Sequence, residues 1–141
     1  MDTLGGLLPG AFCWLDLAAT DEERARRFYA EAFGWTFAEQ RANGGRYTRC
    51  LAGGRAIGSL YPLRRSDVER GVPSHWTPYV GVDRVDAAAR RVASCGGRIL
   101  VAPFDVEATA RIALAEDAVG ALIGLWEPAP RPGPVPAGAA G

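Results

Sequence analysis

Asp16 and His75 are the side chains of this chain best placed by type to move a proton. Asp16 stands in a short apolar run, Phe12-Cys13-Trp14-Leu15-Asp16-Leu17-Ala18. Strand alternation puts it on one face with Phe12, Trp14 and Ala18. A carboxylate at the rim of an apolar surface has its pKa raised by desolvation and can act as a general base. His75 is the sole histidine in 141 residues. Each residue has a plainer reading: Asp16 paired with Arg49 or Arg111, and His75 capping a loop. Cys13, Cys50 and Cys95 are scattered with no CxxC pair, which predicts reduced thiols and a cytoplasmic setting.

The elements that must hold these residues occur twice. Gly54-Arg55-Ala56-Ile57-Gly58 with Pro62 and Gly120-Ala121-Leu122-Ile123-Gly124 with Pro128 share the pattern G-x-x-I-G-x-x-x-P. Arg26-Arg27-Phe28 and Arg90-Arg91-Val92 echo each other further upstream. A repeat of this length is too large for a solenoid unit and reads as two copies of one supersecondary module.

Within the first copy a strand is predicted over residues 11–18. A capping box at Thr20 and Glu23 opens a helix with the stripe Ala25, Phe28, Tyr29, Ala32 and Phe33, which Gly34 stops. Strands follow at 35–40, 46–52 and 55–61, with turns at Asn43-Gly44-Gly45 and Gly53-Gly54. Residues 62–76 are a polar connector whose charges, Arg64, Arg65, Asp67, Glu69 and Arg70, read as a solvated surface. The order then restarts with a strand over 77–83. The stripe Val85, Ala88, Ala89, Val92 and Ala93 follows and ends at Gly96-Gly97, with strands over 98–106, 110–115 and 121–126. Each copy is β-α-β-β-β. The fold class is therefore α+β, with a short lead over 1–10, one domain over 11–128 (modules 11–61 and 77–128) and a disordered Pro/Gly/Ala tail over 129–141.

Composition removes several classes of function. Sixteen basic residues, all arginine, balance sixteen acids, so net charge is zero. That argues against nucleic acid or an anionic membrane as partner. No apolar stretch approaches a membrane span and no signal-peptide pattern opens the chain.

Paired β-α-β-β-β modules resemble the vicinal-oxygen-chelate superfamily of glyoxalases, bleomycin-resistance proteins and extradiol dioxygenases. The segments Thr20-Asp21, Phe28-Tyr29 and Phe33-Gly34, and the turn Glu116-Asp117-Ala118-Val119-Gly120, carry the resemblance. The stretches Cys13-Trp14, His75-Trp76-Thr77-Pro78-Tyr79-Val80 and Ala102-Pro103-Phe104-Asp105-Val106 resemble a glyoxalase-like branch. The resemblance implies a cup-shaped, partly closed mixed sheet with helices outside. It also implies metal-ligand positions on the first and fourth strands of each half. Those positions fall on Trp14, Thr77, Gly58 and Gly124, and none offers a carboxylate or an imidazole. A catalytic divalent ion needs about three protein ligands, so neither metal nor cofactor is expected.

With those positions facing inward, the implied cup is lined by Trp14, Gly58, Leu60, Thr77, Tyr79, Gly124 and Trp126, with room above the glycines. Such a wall suits an organic ligand; packed core is the plainer reading of its aromatics. Two functions stay open: a metal-free binder of a hydrophobic or aromatic metabolite or drug, and a cofactor-free isomerase, cyclase or lyase of secondary metabolism using Asp16 or His75. A metal-dependent lyase or dioxygenase ranks behind both. Exposed sheet edges and the habit of single-domain relatives predict a homodimer. The sequence does not name the ligand.

Overall fold

A computed structural model describes residues 8–42, 45–106 and 109–129. Most of the predicted lead and tail, and the Asn43-Gly44 part of the predicted turn, fall outside the described residues. The elements run β1 (Phe12–Ala19), α1 (Glu22–Phe33), β2 (Thr36–Ala42), β3 (Gly45–Ala52), β4 (Arg55–Pro62), α2 (Arg65–Glu69), β5 (His75–Gly81), α3 (Val85–Ser94), β6 (Arg98–Val106), β7 (Ala110–Glu116) and β8 (Leu122–Pro128). The predicted order is present, with α2 as an unpredicted helical turn in the connector.

All eight strands form one curled sheet in the order β2-β3-β4-β1-β5-β8-β7-β6. Each module brings four strands, and the modules join where β1 pairs antiparallel with β5. Inside each module the first strand runs parallel to the fourth, β1 with β4 and β5 with β8. A parallel pair needs a crossover, and the helices supply the covered face.

Both long helices lie against the same side. Val85, Ala88 and Ala89 of α3 pack with Ala113 and Leu125, while Tyr29 of α1 packs against a cluster of Leu17, Cys50 and Leu60. The opposite, concave side carries a third cluster built on Trp14, Tyr79, Trp126 and Ile112.

The start of α1 differs from the capping-box expectation. Asp21 is the N-cap, accepting from the Arg24 N–H at 3.1 Å. Thr20 instead faces Ser74 across the connector, its N–H donating to Ser74 Oγ at 2.9 Å. Gly34 ends the helix as predicted, at φ 73°, the left-handed conformation that glycine adopts without a Cβ clash. Among the described residues, no helix is long and apolar enough to cross a membrane.

Candidate functional site

Register fixes what faces the concave side. Asp16 pairs with Ser59 of β4 on one flank and with Thr77 of β5 on the other. Trp14 pairs with Tyr79, and Tyr79 with Gly124 of β8. Directly opposed residues share a face, so Trp14, Asp16, Ser59, Thr77, Tyr79 and Gly124 meet at the join between modules. Asp16 and Tyr79 are thus equivalent in the two halves, as are Ser59 and Gly124.

That equivalence is one residue out of step with the sequence repeat, which set Gly58 against Gly124. The pairing of β3 with β4 slips between Cys50 and Leu51. A bulge adds a residue without adding a pleat, so faces beyond it exchange. Gly58 and Leu60 therefore lie on the helix side, Leu60 with Leu17 and Cys50. The shared face read for Trp14, Gly58 and Leu60 is corrected accordingly. Nor is there room above the glycines: a Cβ on Gly58 would lie 2.6 Å from the Leu15 carbonyl oxygen, and one on Gly124 would lie 2.3 Å from the Tyr79 ring.

A hydrogen-bonded cluster occupies the centre of the cup. The Tyr79 hydroxyl donates to Asp16 Oδ2 at 2.8 Å, and the Trp14 indole N–H donates to Ser59 Oγ at 2.8 Å. Burial pushes the Asp16 carboxyl up to about 6, against the opposing pull of its Tyr79, Ser59 and Trp14 neighbours. Burial and the Asp16 charge drive the Tyr79 phenol well above its usual value, so it stays a neutral donor. Tyr61, two residues beyond Ser59, is raised to about 12 for the same two reasons. Asp16 is only partly buried and is therefore a titratable group with access to the cup.

On the β5–β8 side the cup is filled. Trp14 and Trp126 are tilted rings 5.6 Å apart, and Tyr79 meets Trp126 edge-on at 5.9 Å. Trp14 is 1 % exposed and Tyr79 2 %. On the β3–β4 side the same face turns polar, with Arg49 opposite Ser59. The two ion pairs considered for Asp16 are not the arrangement found: its bond is to Tyr79, while Arg111 binds Asp86 at 2.9 Å and Asp105 at 3.2 Å. His75 is cross-strand from Ala18, and its Nδ1 lies 2.9 Å from the Pro73 carbonyl oxygen, the loop contact foreseen as its plainer role.

The four cup positions that would hold a metal carry an indole, two hydroxyls and a glycine: Trp14, Ser59, Thr77 and Gly124. This donor set does not fit a divalent ion. Ser59, hidden by the bulge, was missed by sequence reasoning. Its only signal was that the repeat offset drifts along the chain.

A second concavity lies on the helix side. Tyr29, Phe33, Trp35, Trp76, Cys50 and Ile57 line an apolar groove of about 420 Å³ beneath α1. Tyr29 stacks on Trp35 at 4.7 Å, and Trp76 stands edge-on to Tyr29, donating its indole N–H to the Tyr29 hydroxyl at 3.0 Å. The groove holds no carboxylate or imidazole, and burial pushes the Cys50 thiol up to about 12. The ionisable pair Asp16 and Tyr79 lies on the opposite, concave side.

A family model described as Glyoxalase/Bleomycin resistance protein/Dioxygenase superfamily matches residues 12–125. The putative glyoxylase CFP32 of Mycobacterium tuberculosis is 34 % identical over 116 residues, covering 81 % of this chain and 44 % of that protein. The anthracycline biosynthesis protein DnrV of Streptomyces peucetius is 31 % identical over 129 residues, covering 84 % and 47 %. The chain thus spans under half the length of these relatives. Among solved structures, methylmalonyl-CoA epimerase from M. tuberculosis superposes with a TM-score of 0.63 at 25 % identity, covering 84 % of this chain and 88 % of that one. A Streptomyces coelicolor methylmalonyl-CoA epimerase variant in complex with 2-nitronate-propionyl-CoA gives 0.59 at 20 %, covering 83 % and 96 %, and bears on the fold alone.

Proposed function

This chain belongs to the Glyoxalase/Bleomycin resistance protein/Dioxygenase superfamily, and we propose that within it the chain is a metal-free binder of a small, flat organic ligand held in the cup at Asp16. One observation carries the reading. The centre of the concave face offers a partly buried carboxyl, hydroxyls and an indole edge beside an aromatic wall, and no metal-ligating set. A few convergent polar groups beside apolar surface are what an organic ligand needs for orientation and affinity. The ligand rests on the edge of the Trp14, Tyr79 and Trp126 wall, with Thr77 beside Asp16, because the rings already fill the space between them. The anthracycline relative supports a polycyclic aromatic metabolite as the ligand class. Gly58 and Leu60 support the cup from the helix side, and Gly124 lets the Tyr79 ring lie close on the concave face.

Asp16 also favours a second reading, cofactor-free isomerisation by proton transfer. A carboxyl near pH 6 beside a neutral phenol is matched to general acid–base work at neutral pH. The likeness to an epimerase supports this class. His75 enters only as a second acid on the same face of β5.

Two experiments test the pair. A thermal-shift screen over polycyclic aromatic metabolites should give saturable stabilisation, and no hit across a broad panel sinks the binder. Asp16→Asn separates the readings: retained affinity identifies a binder, whereas lost turnover of a bound compound identifies the enzyme.

The chain is further proposed to act as a homodimer in a reducing, cytoplasmic setting. Strands β2 and β6 end the sheet, and the three cysteines are free thiols. A monomer mass by light scattering at high micromolar concentration would remove the dimer.

A further inference from the structure

We infer that Arg49 is the anion-binding group of the cup, so that the ligand carries a carboxylate at the end facing β3. This rests on the cup being the binding site. Arg49 lies opposite Ser59, and Ser59 opposite Asp16. The three stand in one row on the concave side, with Arg49 and Asp16 two strand spacings, or roughly 9–10 Å, apart at their Cα atoms. The neighbours of Arg49 confirm its direction. Thr48 turns to the helix side, where it accepts from Arg26 at 2.7 Å, and Cys50 lines the groove there.

Among the described residues the Arg49 side chain has no partner, and its buried Nε–H finds no acceptor. Arg26 shares an unpaired Nε, but its Nη2 is held by Glu22 and Thr48. No ion pair of the described residues engages Arg49. A buried N–H with no acceptor costs free energy, and such a group in a folded protein calls for an acceptor from outside it. The Nε–H and one Nη–H of a guanidinium form a planar fork that fits both oxygens of a carboxylate. An acid held at Arg49 stays two strand spacings from Asp16, with Ser59 between them. A carboxylate on Arg49 leaves the rest of a flat ligand to run across Ser59 and Asp16 towards Trp14.

The test uses 2-naphthoate and its neutral methyl ester as probes, titrated against the fluorescence of the full chain. The wild type should bind the acid at least about tenfold more tightly than the ester. Arg49→Met should bring the two within about twofold while leaving ester affinity unchanged, and Arg49→Lys should restore part of the preference. Because Arg49→Met removes an unpaired donor, its melting temperature without ligand should not fall. No acid preference in the wild type, or a preference surviving in Arg49→Met, overturns the role of Arg49 and leaves the cup reading intact. Loss of ester binding in a folded Arg49→Met, or a melting temperature several degrees lower, also overturns it. Failure of both probes to bind also overturns the role of Arg49, and the cup reading is then judged by the broad panel.

Discussion

The two helices answer one problem in different ways. Helix α3 lies flush on its sheet: Val85, Ala88 and Ala89 are buried against Ala113 and Leu125. Its first turn is fastened from outside, the Val85 N–H donating to Glu127 Oε1 of β8 at 2.7 Å. Helix α1 buries no residue fully, and its first turn is capped by its own Asp21. It carries Phe28 and Phe33, both more than half exposed, and is propped off the sheet over the apolar groove. Besides the Tyr29 packing, a polar contact holds it: Arg26 and Glu22 meet on the Thr48 hydroxyl, at 2.7 and 2.9 Å. Small side chains let a helix approach a sheet closely, whereas aromatic ones hold it away. The same β-α-β-β-β order therefore yields one half whose helix lies flush on its sheet and one half whose helix is less buried.

The largest expected effect lies under α3. Leu125→Ala should cost about 2–5 kcal/mol, because Leu125 is 5 % exposed and the flush helix cannot collapse onto the void. Denaturant unfolding measures it, and a loss below about 1 kcal/mol would mean that the second half is no tighter than the first.

Next comes the acid at the join. The folded state holds the Asp16 proton up to about 6, against 3.8 for the free side chain. The contribution of this group to stability is fully present below about pH 4 and is lost as pH rises to about 6. The raised pKa alone corresponds to about 1–3 kcal/mol, the lower end reflecting the partial solvent contact of Asp16. Asp16→Asn should flatten that slope in melting curves taken between pH 4 and 7. An unchanged slope would place the titration elsewhere.

An effect of similar size probes the Tyr79 contact between halves. Gly124→Ala must move the Tyr79 ring, costing about 1–3 kcal/mol by overpacking. It should also raise the Asp16 pKa further, since the Tyr79 bond favours the ionised carboxylate. An NMR titration of the Asp16 carboxyl reads this directly, and an unmoved midpoint would show that Tyr79 does not tune it.

The smallest effect belongs to the loose helix. Phe28→Ala should change stability by less than about 0.5 kcal/mol, since Phe28 is 57 % exposed. A loss of 2 kcal/mol would mean that α1 is as firmly packed as α3 and would erase the contrast.

Much of the scaffold was legible because it rests on local signals. The helical stripes, the stop at Gly34 and the strand carrying Asp16 follow from spacing and turn chemistry. Alternation within single strands put Trp14 with Asp16, Thr77 with Tyr79 and Gly124 with Trp126, and the family resemblance joined these faces in one cup. Gly58 and Leu60 failed because alternation counted through Ile57 assumes an unbroken pleat, and the β3–β4 slip breaks it. Asp21 displaced Thr20 as N-cap because Thr20 is engaged by Ser74, more than fifty residues away. The Tyr79–Asp16 and Trp14–Ser59 bonds are likewise long-range and leave no trace in sequence spacing. Arg49 was visible as a charge near Asp16, but that it lacks a partner is a tertiary fact.

The central position of β1 has a consequence for how the chain acquires its shape. It precedes the other described strands along the chain, yet it lies between β4 and β5. Neither neighbour exists until tens of residues later, so β1 must wait, apolar and unpaired, while the chain emerges. Closing loops of that length before any pairing is gained slows folding. The antiparallel seam between β1 and β5 can close only once β5 is made, and that seam brings Asp16 to Thr77 and Tyr79. During the delay, the Trp14 segment is the stretch most exposed to pairing with a foreign strand edge.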